Sequence, residues 1–438
     1  MERSQKNKIK VPYALSVHDH REAKAVARVI NEHRTLLGKE TNEFEKRVAK
    51  LFGKTHGVMV NSGSSANLLA FEILNLPYGS EVITPALTFN TTVAPIIQKG
   101  LVPVFIDAKQ ASYLIDIDQI EKKITKKTKA LMIPSLIGNI PDMARLRAIS
   151  DKHGLYFIED SCDTIGATFN GKPTGIWSDI STTSFYGSHV INAAGGGGMI
   201  CVNRKDWHQR LLVLRGWGRT STLFEESEDL NKRFTATINN IPYDNKFIYT
   251  ELGYNFFPLE ISAAFGLVQL QKLSRFTKMR QKNFARLLSY FSRLANFFEV
   301  PQQTPQSTTN WLAFPLTIKE GSPFSRIELV TFLEKSGIQT RPVFGGNILH
   351  QPVFSPHTTS HAGYAILSLK ERAPLIRLTV KNHKQTQFPV ADHIMRQAFL
   401  IGCHQGLATK ELTHLINTFE TFLKPYAQQK NFGRRTLL

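Results

Sequence analysis

The sequence predicts an α/β protein, in which a large domain on a mostly parallel sheet is followed by a smaller α+β domain. Three observations carry that prediction. Short apolar runs alternate with helical periods between about residues 57 and 202. Long amphipathic periods replace them after about residue 276. The chain of 438 residues also exceeds the ~100–200 of one ordinary domain.

Taken in order, residues 57–60, 81–84, 102–107, 130–134, 155–160, 181–185 and 198–202 read as seven strands. Helices are expected over 66–74, about 90–99, after Asp116, whose carboxylate can cap one, and over 143–153. Strand, crossover helix and strand at this spacing give a mostly parallel sheet covered by helices. Further on, helices are expected at 279–294 and 325–335, with a short strand at 313–318. The organisation predicted is an extended arm (1–20), a large domain (21–275), a small C-terminal domain (276–425) and a loose basic tail (426–438).

Composition narrows the class. Hydrophobic residues make up 42% and charged residues 20%, which is globular composition. No stretch reaches the ~20 apolar residues of a membrane span, and the basic N-terminus lacks the apolar run of a secretory signal. Cys162, Cys201 and Cys403 are odd in number and scattered, which excludes a disulfide framework and a zinc ribbon. A reducing cytoplasm is the compartment this suggests. The net charge of +19 attracts anions. Yet basic residues are spread out, with small clusters at 122–129 and Arg434–Arg435, and no nucleic-acid motif appears, so a small anionic ligand is the better reading.

Four segments could carry chemistry. Asn61-Ser62-Gly63-Ser64-Ser65 lies at a strand-to-helix turn, where backbone N–H groups, hydroxyls and a helix N-terminus can hold a phosphate. Ser-rich caps are common and need bind nothing. Thr84–Phe89 brings an aromatic ring to the next strand end. Asp160 ends an apolar strand, at the edge where open α/β sheets bind ligands. A carboxylate there can hold a pyridinium nitrogen protonated, although capping a helix is the more ordinary role. Ser184 to His189 follows another strand end and runs into Gly195–Gly198, a glycine run that is neither a Walker loop nor a dinucleotide fingerprint. A lone His near a loop is usually structural.

The order of these segments resembles the DegT/DnrJ/EryC1/StrS family of fold-type I, vitamin B6-dependent sugar enzymes, over roughly residues 10–410. Gly253-Tyr254-Asn255, Ser262-Ala263-Ala264, Thr340-Arg341-Pro342 and Gly346-Asn347 add to the likeness. Aminotransferases of that family carry a lysine where this chain has His189. Histidine there resembles the nucleotide-sugar 3-dehydratases. Val11–Ala14, Asn61–Phe71, Gly100–Asp107, Asp151–Gly154 and Gly402–Leu407 look most like the CDP-sugar type. The resemblance implies a pyridoxamine or pyridoxal phosphate cofactor and a nucleotide-linked 4-keto-6-deoxy sugar as substrate, in deoxysugar or lipopolysaccharide O-antigen synthesis. It implies His189 as the base that takes a proton from the cofactor methylene while the C3 hydroxyl leaves. It further implies Asp160 on the ring nitrogen, Phe89 stacked on the ring and Gly63, Ser64, Ser65, Asp163 and Ser184 around the cofactor. Arg341 and Asn347 would meet the substrate. Asn255 would reach the partner's phosphate in an obligatory homodimer with shared sites.

The chain departs from the family pattern in three places. The CDP-sugar enzyme carries cluster cysteines after its Gly-Arg. Here Gly218-Arg219 runs into Thr220–Phe224, and Asn231-Lys232-Arg233 also lacks a cysteine. Gly195–Gly198 replaces the usual Gly-Glu-Gly-Gly, and Phe256 and Phe257 stand where a basic residue often follows. The resemblance therefore implies a dehydratase without an iron–sulfur cluster, whose released product hydrolyses to a 3-deoxy ketosugar. Whether a reductase partner takes part stays open. An aminotransferase of the same family and a catalytically altered homologue are the alternatives. Three cysteines cannot supply the four thiolates of a [2Fe–2S] site within one chain. Protein purified anaerobically should contain neither iron nor acid-labile sulfide by elemental analysis, and stoichiometric iron would refute this.

Overall fold

The computed structural model describes residues 9–224, 229–354 and 388–427. Seven strands form the large sheet: β1 (His56–Val60), β2 (Glu81–Pro85), β3 (Val102–Ile106), β4 (Thr128–Pro134), β5 (Tyr156–Asp160), β6 (Ile180–Ser184) and β7 (Gly198–Val202). Their order is β1-β7-β6-β5-β4-β2-β3, and only β7 runs against its neighbours. These are the seven strands expected, with ends within a residue or two. Their apolar runs are buried on both faces, as a sheet covered by helices requires.

Helices α1 (His20–Asn31), α2 (Lys39–Leu51), α3 (Gly63–Leu74), α4 (Asn90–Gln98), α5 (Met143–His153) and α6 (Lys205–Arg215) belong to this domain. The helix expected after Asp116 is two short 3₁₀ turns, although Asp116 caps the first by accepting from the Asp118 N–H. Ile120, between the two turns, is fully buried, with Ile117 and Ile124 partly buried against the same core.

The expected domain boundary at 275/276 falls inside one continuous helix, α7 (Glu260–Phe291), of 32 residues. The helix expected from Met279 is its second half. No residue between Leu267 and Phe291 breaks a helix, so the chain crosses from one core to the other without a linker. Ala263, Leu267, Leu273 and Phe276 pack with Phe44 and Phe185 of the large domain. Phe284, Leu287 and Phe291 pack with Trp311, Phe314 and Phe419 of the small one.

The small domain holds an antiparallel sheet of β8 (Phe298–Glu299), β9 (Phe314–Ile318), β10 (Thr340–Pro342) and β11 (Ala398–Ile401), in the order β8-β9-β11-β10. Helices α8 (Arg326–Lys335), α9 (Pro389–Gln397) and α10 (Thr409–Ala427) cover it. Ser325 and Glu328 form a capping box at the start of α8. The expected arm is extended from residue 9 and tied down: the Val11 N–H donates to Gly337 O at 2.8 Å, and the Gln339 N–H donates to Val11 O at 2.9 Å. Residues 428–438 of the expected tail lie outside the described residues. No described helix is long and apolar enough to cross a membrane.

A buried ion pair fixes the arm and α1 to α7. Lys272 Nζ lies 2.5 and 2.6 Å from the two carboxylate oxygens of Glu22, which is fully buried. Gln269 donates a further bond at 2.6 Å. Burial alone would raise the Glu22 pKa, but Lys272, the Asp19 N–H and Gln269 outweigh it and hold it low. Lys272→Ala leaves that carboxylate buried and unpaired, so the urea midpoint at pH 7 should reveal a loss of about 3–5 kcal/mol. Because the native pKa is depressed, the pair contributes above the ordinary glutamate range of ~4.3 and is lost as pH falls through the native value. The gap between wild type and variant should therefore narrow from pH 7 to pH 4. A gap that is small, or does not change with pH, would contradict the assignment.

Candidate active site

The carboxyl ends of β1, β4, β5 and β6 open into a cavity of about 910 Å³, closed from the other side by Leu312, Arg341, Pro342 and Phe344 of the small domain. Gly63, Ser64, Phe89, Asp160, Asp163, Ser184, His189 and Arg341 all line it. Eight of the residues singled out in the sequence thus meet in one place.

The Ser-rich turn joins β1 to α3. Ser62 caps α3, its Oγ accepting from the Ser65 N–H at 3.1 Å. Ser65 donates to Asn61 Oδ1 at 2.7 Å and shares a 3.0 Å bond with Ser62 Oγ, so its hydroxyl is spent within the turn. Ser65 does not line the cavity, whereas Gly63 and Ser64 do. A Cβ on Gly63 would stand 2.6 Å from Ser184 Cβ and 2.8 Å from Cys162 Sγ. Glycine is therefore required for the α3 N-terminus to sit this close to the end of β6. That N-terminus presents free N–H groups and a partial positive charge to the cavity.

Asp160 does not cap a helix, since a turn follows β5. Its Oδ2 accepts from Asn67 Nδ2 and Thr92 Oγ1, both at 2.9 Å, and its Oδ1 accepts from the Cys162 N–H at 3.2 Å. Thr182 in turn donates to Asn67 Oδ1 at 2.6 Å. The carboxylate is oriented by buried neutral donors, and no described cation pairs with it. Asp163 accepts from the Ile137 N–H at 2.8 Å. Burial, with Asp160 nearby, pushes its pKa up to about 7. Phe89 is half exposed at the rim, edge-on to Phe344 at 5.9 Å, with a face left open.

His189 stands in the turn after β6. Its Nδ1 lies 3.2 Å from Ser184 O, and a carbonyl can only accept. Nδ1 therefore carries the proton, and Nε2 keeps its lone pair and has no partner among the described residues. Burial pushes the pKa of the ring down to about 4, the charge of Arg280 acts the same way, and the imidazole is neutral at pH 7. No lysine lines the cavity among the described residues. The glycine run is a turn with Gly195 at φ 97° and Gly197 at φ 135°. A Cβ on Gly198 would lie 2.3 Å from the Ser62 carbonyl. At Gly196, which lines the cavity, a Cβ would meet nothing nearer than Asn61 O at 3.8 Å, so the place of the family's usual glutamate is open.

Arg341 reaches the cavity from β10, its guanidinium 5.5 Å above the Tyr13 ring. Asn347 does not line the cavity: it is 3% exposed, donates to Asp392 Oδ1 at 2.7 Å and accepts from the Leu349 N–H. Its side chain is committed to holding a turn. Asn255 is exposed and also outside this cavity, bridged to Gly216 on a strip where Tyr249 is 58% and Leu252 98% exposed. Sequence reasoning missed Asn67 and Thr92, the polar residues that orient Asp160 from otherwise apolar helices. Polar residues at the buried positions of α3 and α4 were the available signal. Tyr13 and Tyr186, which also line the cavity, gave none beyond being aromatic.

The chain is 36% identical over 396 residues to the lipopolysaccharide biosynthesis protein RfbH of Salmonella typhimurium, covering 88% of this chain and 85% of that protein. It is 36% identical over 350 residues to dTDP-4-dehydro-2,6-dideoxy-D-glucose 3-dehydratase of Saccharopolyspora spinosa, covering 77% and 75%. The solved structure of E. coli GDP-4-keto-6-deoxy-D-mannose-3-dehydratase with bound hydrated PLP superposes with a TM-score of 0.78 at 29% identity, covering 94% of this chain and all of that one. Residues 17–368 match the model of the DegT/DnrJ/EryC1/StrS aminotransferase family, and the chain is a member of that family.

Proposed function

We propose that the protein is a vitamin B6-dependent 3-dehydratase acting on a nucleotide-linked 4-keto-6-deoxy sugar, in deoxysugar or lipopolysaccharide O-antigen synthesis. The observation that carries this reading is His189, with a free Nε2, in a cavity lined by no described lysine. A lysine amine would hold the cofactor covalently, and an imidazole cannot. The 3-dehydratases among the relatives make the same reading from their names.

The residues present fit pyridoxamine phosphate. The α3 N-terminus with Gly63, Ser64 and Ser184 suits the phosphate, and Gly63 leaves the cradle unfilled. Asp160 would meet the ring nitrogen, oriented by Asn67 and Thr92, and the open face of Phe89 would cover the ring. When bound, the cofactor supplies an amine for the sugar ketone and a ring that takes up electrons. His189 Nε2 is the proton acceptor: its tautomer is set by Ser184 O, and it stays neutral at working pH. Arg341 offers a cation to the anionic diphosphate of the substrate. The exposed apolar strip around Asn255 suits a homodimer in which Asn255 completes the partner's phosphate site.

His189→Asn should keep cofactor affinity, because the phosphate loop and Asp160 are untouched. Dehydration should fall by roughly 10²–10⁴-fold, the worth of one positioned base. Mass spectrometry of incubations with pyridoxamine phosphate and a panel of 4-keto-6-deoxy nucleotide sugars measures this. Undiminished turnover would move the base elsewhere. Wild-type protein that binds cofactor and converts none of the panel would favour an altered homologue. His189→Lys should take up pyridoxal phosphate in a form that borohydride fixes to residue 189. Failure to do so would mean that residue 189 does not face the cofactor.

A further inference from the structure

The middle of α7 carries a charge that neither the ligand cavity nor an ion pair explains. Arg280 is 1% exposed. Its Nε donates to Gln405 Oε1 at 2.6 Å, and its Nη1 donates to the carbonyls of Trp311 and Leu312, both at 2.9 Å. Nη2 is buried without a partner. Every acceptor is neutral, and no described carboxylate pairs with the guanidinium. Burial lowers its pKa only to about 10, so it is charged at pH 7. A buried cation held by neutral acceptors alone is costly, and a hydrophobic side chain there would pack more cheaply. Its retention calls for a use.

Gln405 shows where the charge is directed. Its Nε2 donates to Val190 O at 3.0 Å. Val190 follows His189, so two hydrogen bonds link Arg280 to the main chain of the turn that bears the base. Tyr13, Asp160, Cys162, Asp163, Tyr186 and Arg341 share the cavity with His189. Cys403 and His404 lie beyond the lining, on the segment that carries Gln405. Burial opposes protonation of His189 most, Arg280 adds to that, and of the groups in the cavity Asp160 favours it. The nearby His404, bonded to Pro12 O, is pushed down to about 4 by burial and by the same guanidinium.

We propose that Arg280 is a positioning residue for the reaction: through Gln405 it fixes the His189 turn, and its charge adds to the burial that leaves the imidazole a free base beside the Asp160 carboxylate. This rests on the reading of His189 as the proton acceptor. It adds a division of labour: Ser184 O sets the tautomer, burial and then Arg280 favour the neutral ring, and Gln405 fixes the position.

The test is the titration of His189 in the protein without cofactor. Ring signals from ¹³C-labelled histidine are followed by NMR, and the His189 signal is identified by its loss in His189→Asn. Gln405→Glu is nearly isosteric, keeps the acceptor for Arg280 and places a carboxylate against the guanidinium, while it loses the donor to Val190 O as Gln405→Leu does. It should raise the His189 midpoint by about one pH unit. Arg280→Met should move it the same way, and Arg280→Lys should restore most of the wild-type value. Gln405→Leu keeps the cation but cuts the link to Val190 O, so it should leave the titration in place and lower kcat about tenfold with KM little changed. The acid limb of the kcat/KM profile should shift with the midpoint in Gln405→Glu. Where Arg280→Met does not fold, Gln405→Glu decides. A His189 midpoint unmoved in a folded Gln405→Glu protein would overturn the proposal. Retained dehydration in His189→Asn would instead sink the base assignment and leave the titration result standing.

Discussion

The site depends on one steric constraint, the contact of three chain segments at the carboxyl edge of the sheet. Gly63 touches Ser184 and Cys162, Gly198 touches the Ser62 carbonyl, and Ser62 bridges Gly197. The reversed strand β7 makes this contact possible, because its first residue lies at the edge where β1 and β6 end. With Cβ atoms there the loop would be pushed away from β6. The α3 N-terminus would then lose its place beside Ser184, and His189 after β6 would lose its fixed relation to that N-terminus. The glycines are thus a distance requirement more than a source of flexibility.

A second dependence runs through α7. Its first half carries Lys272, which neutralises buried Glu22 and pins the arm and α1. Its second half carries Arg280, bonded to the strand-entering carbonyls of Trp311 and Leu312 and to Gln405. Both cations are buried, but they differ in partner. Lys272 meets a carboxylate and contributes to stability. Arg280 meets only neutral acceptors, and its field stays available to the cavity. Because one helix enters both cores, the small-domain residues that close the cavity, such as Leu312, are registered against the large sheet without a hinge at 275/276.

Most of the fold was legible because its signals are local. The strands are continuous apolar runs, and β7 is recognisable from Gly198–Val202 even though its direction is not. The boundary expected at 275/276 falls inside one helix, because a change of composition marks where helical periods lengthen, whereas a helix shared by two cores has no mark in its sequence. The segment after Asp116 reads as capped and helical, and it is capped, but as two 3₁₀ turns. In the site, Gly63, Ser64, Phe89, Asp160, Asp163, Ser184, His189 and Arg341 were legible from strand ends and from resemblance. Ser65 and Asn347 were chosen by the same logic, but the Ser65 hydroxyl bonds within its own turn and the Asn347 amide bonds to Asp392 and the Leu349 N–H. Asn67, Thr92, Arg280 and Gln405 were not legible, since each acts across a long sequence separation on a residue that only the fold brings near.

The replacement of a lysine by His189 changes more than one side chain. A lysine amine that captures an aldehyde must itself be unprotonated, which a buried cation nearby also favours. The same surroundings therefore suit either residue, and a change at position 189 alone does not require the cavity to be rebuilt. What differs is the atom presented. A lysine would offer a nucleophile on a flexible stem, whereas the imidazole, tied through Nδ1 to Ser184 O, offers a lone pair in a fixed plane. A base fixed in that way can accept a proton from one direction but cannot follow the cofactor as it moves. The cavity must then hold the cofactor still by other means. On the function proposed above, the three donors on Asp160, the α3 N-terminus and the ring of Phe89 would meet that need.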